Sequence, residues 1–158
     1  MLRVTKLTDY ATLVLTVLAS DPRAVLSAAD LAERARLEAP TVSKLLKPLA
    51  HAGLVSGLRG VNGGYRLARA PEAISLIEIV EAMEGPLGMT ECSVHAGNCG
   101  IENHCGVRAN WRRINDVVVD ALRGVTLAQM LAPVPSTEPN RAPGSGKPRR
   151  IPLHVTAR

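Results

Sequence analysis

The stretch LVSGLRGVNGGYRLAR, residues 54–69, constrains the fold most. Two runs of apolar and β-forming residues flank a glycine-rich tip, RGVNGG. Asn62-Gly63-Gly64 is expected to supply the positive φ angles of a hairpin turn, so the stretch reads as a two-stranded hairpin. Arg59, Arg66 and Arg69 lie on or beside it, and residues 40–69 hold five Lys/Arg and no Asp/Glu.

What precedes the hairpin reads as three short helices. The first runs from about Thr5 to Ser20. Leu7, Ala11, Val14, Leu15 and Leu18 form its apolar stripe, opposite a polar stripe of Thr8, Thr12 and Thr16. Asp9 and Tyr10 interrupt the apolar run, which argues against a signal peptide. Ser27 and Asp30 open a second helix as a capping box. A third begins near Pro40, where a proline costs nothing because the first-turn N–H has no helical partner. Val42, Leu45, Leu46 and Leu49 face inward and Gly53 stops it, while Pro48 removes a donor and is expected to bend the last turn.

Three helices and a basic hairpin make a winged helix-turn-helix, a mainly α fold. Thr41, Ser43 and Lys44 stand at the N-terminal end of the third helix, where such motifs meet base edges. Lys47 suits a phosphate. Arg59 suits a minor groove, with Asn62, Gly63 and Gly64 letting the wing backbone approach closely. The expected partner is double-stranded DNA. Residues 1–69 hold ten Lys/Arg against five Asp/Glu, whereas residues 70–132 hold four against eight, so only the N-terminal part suits a polyanion. With Tyr10, Tyr65 and Trp111 as the sole aromatics, a stacking platform for single strands is not expected.

Beyond Pro71, Ser75 and Glu78 open a fourth helix that GPLG ends. A polar loop from about Met89 to Gly106 follows, then a long helix from about Val107 to Arg123, and Thr126 with Gln129 caps a short last helix. The organisation is thus a DNA-binding region, 1–70; a linker helix, loop and long helix, 71–132; and a basic tail, 133–158, too poor in apolar residues to fold. No apolar run is long enough to span a bilayer, and a reducing cytoplasm is expected.

All three cysteines, Cys92, Cys99 and Cys105, lie in that loop with C-x6-C-x5-C spacing. Structural zinc sites favour closer pairs. Disulfide pairing leaves one thiol over, and nothing supplies a paired acid and base or a phosphate loop for catalysis. Iron–sulfur clusters accept wider spacing but want a fourth ligand. His95, His104, Asp9 or an exogenous group are the candidates, and three thiols without a metal remain an alternative.

The pieces LTDYA, GLVSGLRGVNGGYRLAR, SLIEIVEAMEGP, the three-cysteine loop and TLAQML together resemble the Rrf2 family of bacterial winged-helix regulators, over residues 1 to about 132. ECSVH and CGVRANWRRIND are most similar to the branch that regulates the SUF iron–sulfur assembly system. The resemblance implies a homodimer joined through the long helices, with Val107, Trp111, Ile114 and Val118 at the interface. It implies an iron–sulfur cluster on Cys92, Cys99 and Cys105, of undetermined nuclearity. IscR-like members use a histidine three residues after the third cysteine; Arg108 stands there, and arginine has no lone pair to give. NsrR-like members use an aspartate on the partner's first helix, a position that Asp9 occupies. The expected function is a repressor of iron–sulfur assembly genes that reads a pseudo-palindromic operator; the alternative is a redox sensor working through thiols alone.

Overall fold

The computed structural model describes residues 4–94, 99–101 and 104–132, with nothing given for the side chains of Cys92 and Val94. The expected basic tail, residues 133–158, lies outside them.

Capping sets the helix boundaries. Thr5 opens α1 (Lys6–Ser20), its hydroxyl accepting from the Thr8 N–H. At α2 (Ala28–Ala35) the Ser27 hydroxyl accepts from the Asp30 N–H at 3.1 Å and the Asp30 carboxylate accepts from the Ser27 N–H at 2.9 Å. That reciprocal pair satisfies two donors a helix start would otherwise leave open. The Ser27 hydroxyl, then its backbone N–H, hold the Asp30 carboxyl below its ordinary value.

The turn into α3 (Ala39–His51) passes through Arg36, which has a φ of 54° in the left-handed region. Pro40 lies in the first turn of α3, and the helix runs through Pro48 to His51. Gly53, with a φ of 68°, ends it. The Leu54 N–H reaches back to the Leu49 carbonyl and the Gly53 N–H to that of Ala50, a Schellman arrangement that satisfies the last carbonyls.

The wing comprises β1 (Val55–Leu58) and β2 (Gly64–Leu67), antiparallel, with Val55 opposite Leu67 and Leu58 opposite Gly64. The chemistry of its turn differs from expectation. Asn62, Gly63 and Gly64 are not in the positive-φ region; Gly60 is, at 119°. Gly63 and Gly64 are needed for closeness instead. A Cβ on Gly63 would sit 2.4 Å from the Leu58 carbonyl oxygen, and one on Gly64 would sit 2.5 Å from that of Leu26. The second contact reflects a pairing with no sequence signal: Leu26 and Tyr65 exchange backbone bonds, so the α1–α2 linker bridges to β2 of the wing.

After a 3-10 turn (Pro71–Ala73), α4 (Leu76–Glu84) starts with the Ser75/Glu78 capping box and stops at Gly85. α5 (Glu91–Val94) lies in the cysteine loop, and α6 (Arg108–Arg123) and α7 (Leu127–Leu131) follow. The chain then turns back. The Leu127 N–H donates to the Ile74 carbonyl and the Leu76 N–H to that of Val125, both at 2.8 Å, which docks α7 on the 3-10 turn and α1.

The core is aliphatic, as three aromatics require. Leu15 and Leu18 of α1, Leu31 of α2, Leu45, Leu46 and Leu49 of α3, and Leu54 close it with Ile74, Ile79 and Leu127. One expected outward residue is inside: Thr8 is buried. A buried hydroxyl needs a partner, and it finds the Glu84 carboxylate.

Candidate nucleic-acid interface and cysteine loop

Helix α3 packs Val42, Leu45, Leu46 and Leu49 into the core, so its opposite face is left to solvent. Ser43, Lys44 and Lys47 are exposed there and Thr41 is half-buried. Arg59 and Asn62 at the wing tip and Arg66 on β2 are exposed too, while Gly63 and Gly64 are half-buried in the turn. None of Lys44, Lys47, Arg59 and Arg66 forms an ion pair among the described residues. Arg69 has a different role. Its guanidinium donates to the Glu78 carboxylate at 2.7 Å and to the Ala73 carbonyl at 3.0 Å, so it ties the end of the wing to the start of α4. Partial burial works to raise the Glu78 carboxyl, but the Ser75 N–H, Arg69 and the Ser75 hydroxyl outweigh it and hold the group below its ordinary value.

The other end of α4 is tied to α1. One Glu84 oxygen accepts from the Thr8 hydroxyl at 2.5 Å and from the Thr5 N–H at 2.9 Å. The Thr8 hydroxyl first, then the Thr5 N–H, lower the Glu84 carboxyl against slight burial. The cysteine loop begins a few residues after Glu84. At its base the buried Asn115 of α6 accepts the Met89 N–H at 3.0 Å through Oδ1. Sequence reading missed Glu84 and Asn115, since neither belongs to a local motif; each works across more than twenty positions.

Within the loop, Cys92 lies on α5, and Cys99 and Cys105 are half-buried thiols outside any disulfide. The Cys105 carbonyl accepts from the Arg108 N–H in the first turn of α6, which sets this cysteine at the positive end of that helix. His104 is exposed, and His95 falls outside the described residues. Among the described residues, no group of three His, Cys, Asp or Glu side chains is gathered. The fit to a cluster therefore rests on donor chemistry: two accessible thiols on a loop anchored at both ends.

Asp9 is exposed in the first turn of α1. It lines an open groove of about 620 Å³ with Thr12, Leu76, Val80, Leu122 and Met130. Val107, which precedes α6, and Trp111 and Ile114 on it are exposed and Val118 is half-buried; Val117, not among the expected positions, is 64% exposed. Asn115 is the one buried residue of this sixteen-residue helix. No helix among the described residues is long and apolar enough to cross a membrane.

A sequence profile of the Rrf2 family, described as iron-dependent transcriptional regulators, matches residues 4–133. The protein aau3 of Rhizobium meliloti is 32% identical over 82% of this chain and 85% of its own length. The transcriptional regulator IscR of Vibrio cholerae is 31% identical over 65% of this chain and 59% of its own length, so the match spans about three fifths of that relative. The solved structure of CymR, the global cysteine regulator of B. subtilis, superposes with a TM-score of 0.65 at 29% identity, covering 83% of this chain and 97% of that one.

Proposed function

The chain belongs to the Rrf2 family of transcriptional regulators, and from that premise we propose that it is a dimeric, DNA-binding repressor of iron–sulfur assembly genes that carries the cluster it senses. The observation that carries the DNA-binding half is the one-signed surface of Lys44, Lys47, Arg59 and Arg66 on α3 and the wing, which pack against each other. Thr41, Ser43 and Lys44 meet base edges in the major groove, Lys47 holds a phosphate, and Arg59 with Asn62, Gly63 and Gly64 approaches the minor groove. Residues 1–70 supply this surface. Residues 71–132 supply the sensor and the dimer contact through Val107, Trp111, Ile114 and Val118.

Cys92, Cys99 and Cys105 would hold the cluster, with Asp9 of the partner subunit as fourth ligand. When bound, the cluster supplies a group that iron supply, oxidant or nitric oxide can alter. The donor types fit: thiolates suit iron–sulfur clusters, and an exposed carboxylate can reach a neighbouring chain. The description of the family as iron-dependent supports the same reading. Sensing requires that loop and DNA bias one shared element. Helix α4 is that element, gripped near the loop by Glu84 on α1 and near the wing by Arg69 on Glu78. A shift at either end of α4 therefore moves the reading head.

A second reading is a winged-helix redox sensor that works through its cysteine thiols without a cluster; Cys99 and Cys105 stand outside any disulfide, and CymR is described as a global cysteine regulator. The two differ in whether protein isolated without oxygen carries iron.

Four cations per subunit, at a slope of about −0.9 in log K against log salt for each phosphate neutralised, give about −7 for a dimer. Fluorescence anisotropy on duplex DNA between low and moderate salt measures this. Binding that does not weaken with salt would remove the DNA-reading assignment.

A further inference from the structure

Val61 stands at the tip of the wing with 105% of its reference surface exposed. A single exposed aliphatic is ordinary on a protein surface. This one differs in how firmly it is held out. The Gly63 N–H closes a turn on the Gly60 carbonyl at 3.0 Å, so Val61 occupies a corner of that turn. Gly60 takes a φ of 119°, and the Cβ position of Gly63 is filled by the Leu58 and Gly60 carbonyl oxygens. The base of the wing is fixed in turn by the Leu26–Tyr65 pairing, with bonds of 3.0 and 2.7 Å. The side chain stands wholly in solvent. Its surroundings are cationic: Arg59 precedes it by two residues, and no acidic residue occurs from 40 to 69.

We infer that Val61 is a DNA-contact residue that packs on the deoxyribose walls of the minor groove beside Arg59. This deepens the DNA-binding reading and rests on it. A polyanion complements the charge around the tip, and the deoxyribose walls of its minor groove offer apolar C–H surface next to phosphate. Valine needs no ordering of a long side chain, and the turn is already set, so contact costs little entropy. Arg59 contributes charge; Val61 contributes fit and water exclusion.

The test uses full-length wild type, Val61→Ser, Val61→Ile and Arg59→Ala. The probe is a fluorescein-labelled duplex enriched by the wild type from a random library of about 30 base pairs, roughly three helical turns. Val61→Ser is expected to raise Kd about tenfold at every salt concentration with the salt slope unchanged, since it removes apolar burial and no charge. Val61→Ile retains wild-type affinity. Arg59→Ala weakens binding and makes the slope shallower by about one. Thermal melting of Val61→Ser matches wild type, because the side chain touches nothing in the free protein. Val61→Ser binding within about twofold of wild type overturns this inference alone. A wild type that enriches no duplex overturns the DNA-binding reading and this inference with it.

Discussion

A Trp111→Lys, Ile114→Lys double variant is expected to run as a monomer in size-exclusion chromatography and to bind operator DNA about a hundredfold more weakly than wild type. Both side chains are exposed, at 38% and 44%, on a helix that buries only Asn115 against its own chain. Val107 and Val117 extend the same apolar stripe at 54% and 64% exposure. Such a stripe calls for a partner, and a second copy matches it by symmetry. Two lysines at its centre would have to be desolvated without counter-charges, which an interface does not tolerate. The fold is expected to survive, because neither side chain contributes to the core. The loss of affinity then comes from avidity: one reading head binds where two bound before. A double variant that stays dimeric would place the interface on another face.

Cys99→Ser is expected to abolish the visible absorption of protein purified without oxygen, together with its iron and sulfide. A serine hydroxyl does not ionise near neutral pH, so it cannot replace a thiolate ligand in a cluster with one donor per site. Cys105→Ser should behave alike. Asp9→Ala is expected to load the cluster but lose it faster in air, as the three cysteines remain. A colourless wild type that also resists reconstitution with iron and sulfide would reject the cluster and favour the thiol reading.

The wing, the capping boxes at Ser27, Ser75 and Thr126, and the inward face of α3 were all legible in the sequence, because each is written within a few residues. Thr8 departs from its expected outward place because periodicity counts a threonine as polar, whereas Glu84 on α4 completes its hydrogen bonding and lets it be buried. The tip glycines form the expected turn by a different means. Gly60 carries the positive φ, and Gly63 and Gly64 make room for carbonyls, one of them from Leu26, far along the chain. Arg69 counts toward the positive charge of residues 40–69, yet Glu78 holds it, a pairing that requires knowing how α4 packs beside the wing. The cysteine loop was legible as a unit through its spacing. A ligand donated across a subunit interface leaves no spacing to read, which is why the preference for Asp9 over His95 and His104 rests on family resemblance and not on local pattern.

The most direct test is the affinity of one preparation for the same operator duplex, measured without oxygen before and after the cluster is removed by chelation. Coupling between the loop and the reading head through α4 predicts at least a tenfold difference in Kd, in the ordinary range of coupling between sites. Equal affinities in the two states, with iron shown to be bound in one and absent in the other, would contradict the account: the chain would bind DNA and bind a cluster without either sensing the other.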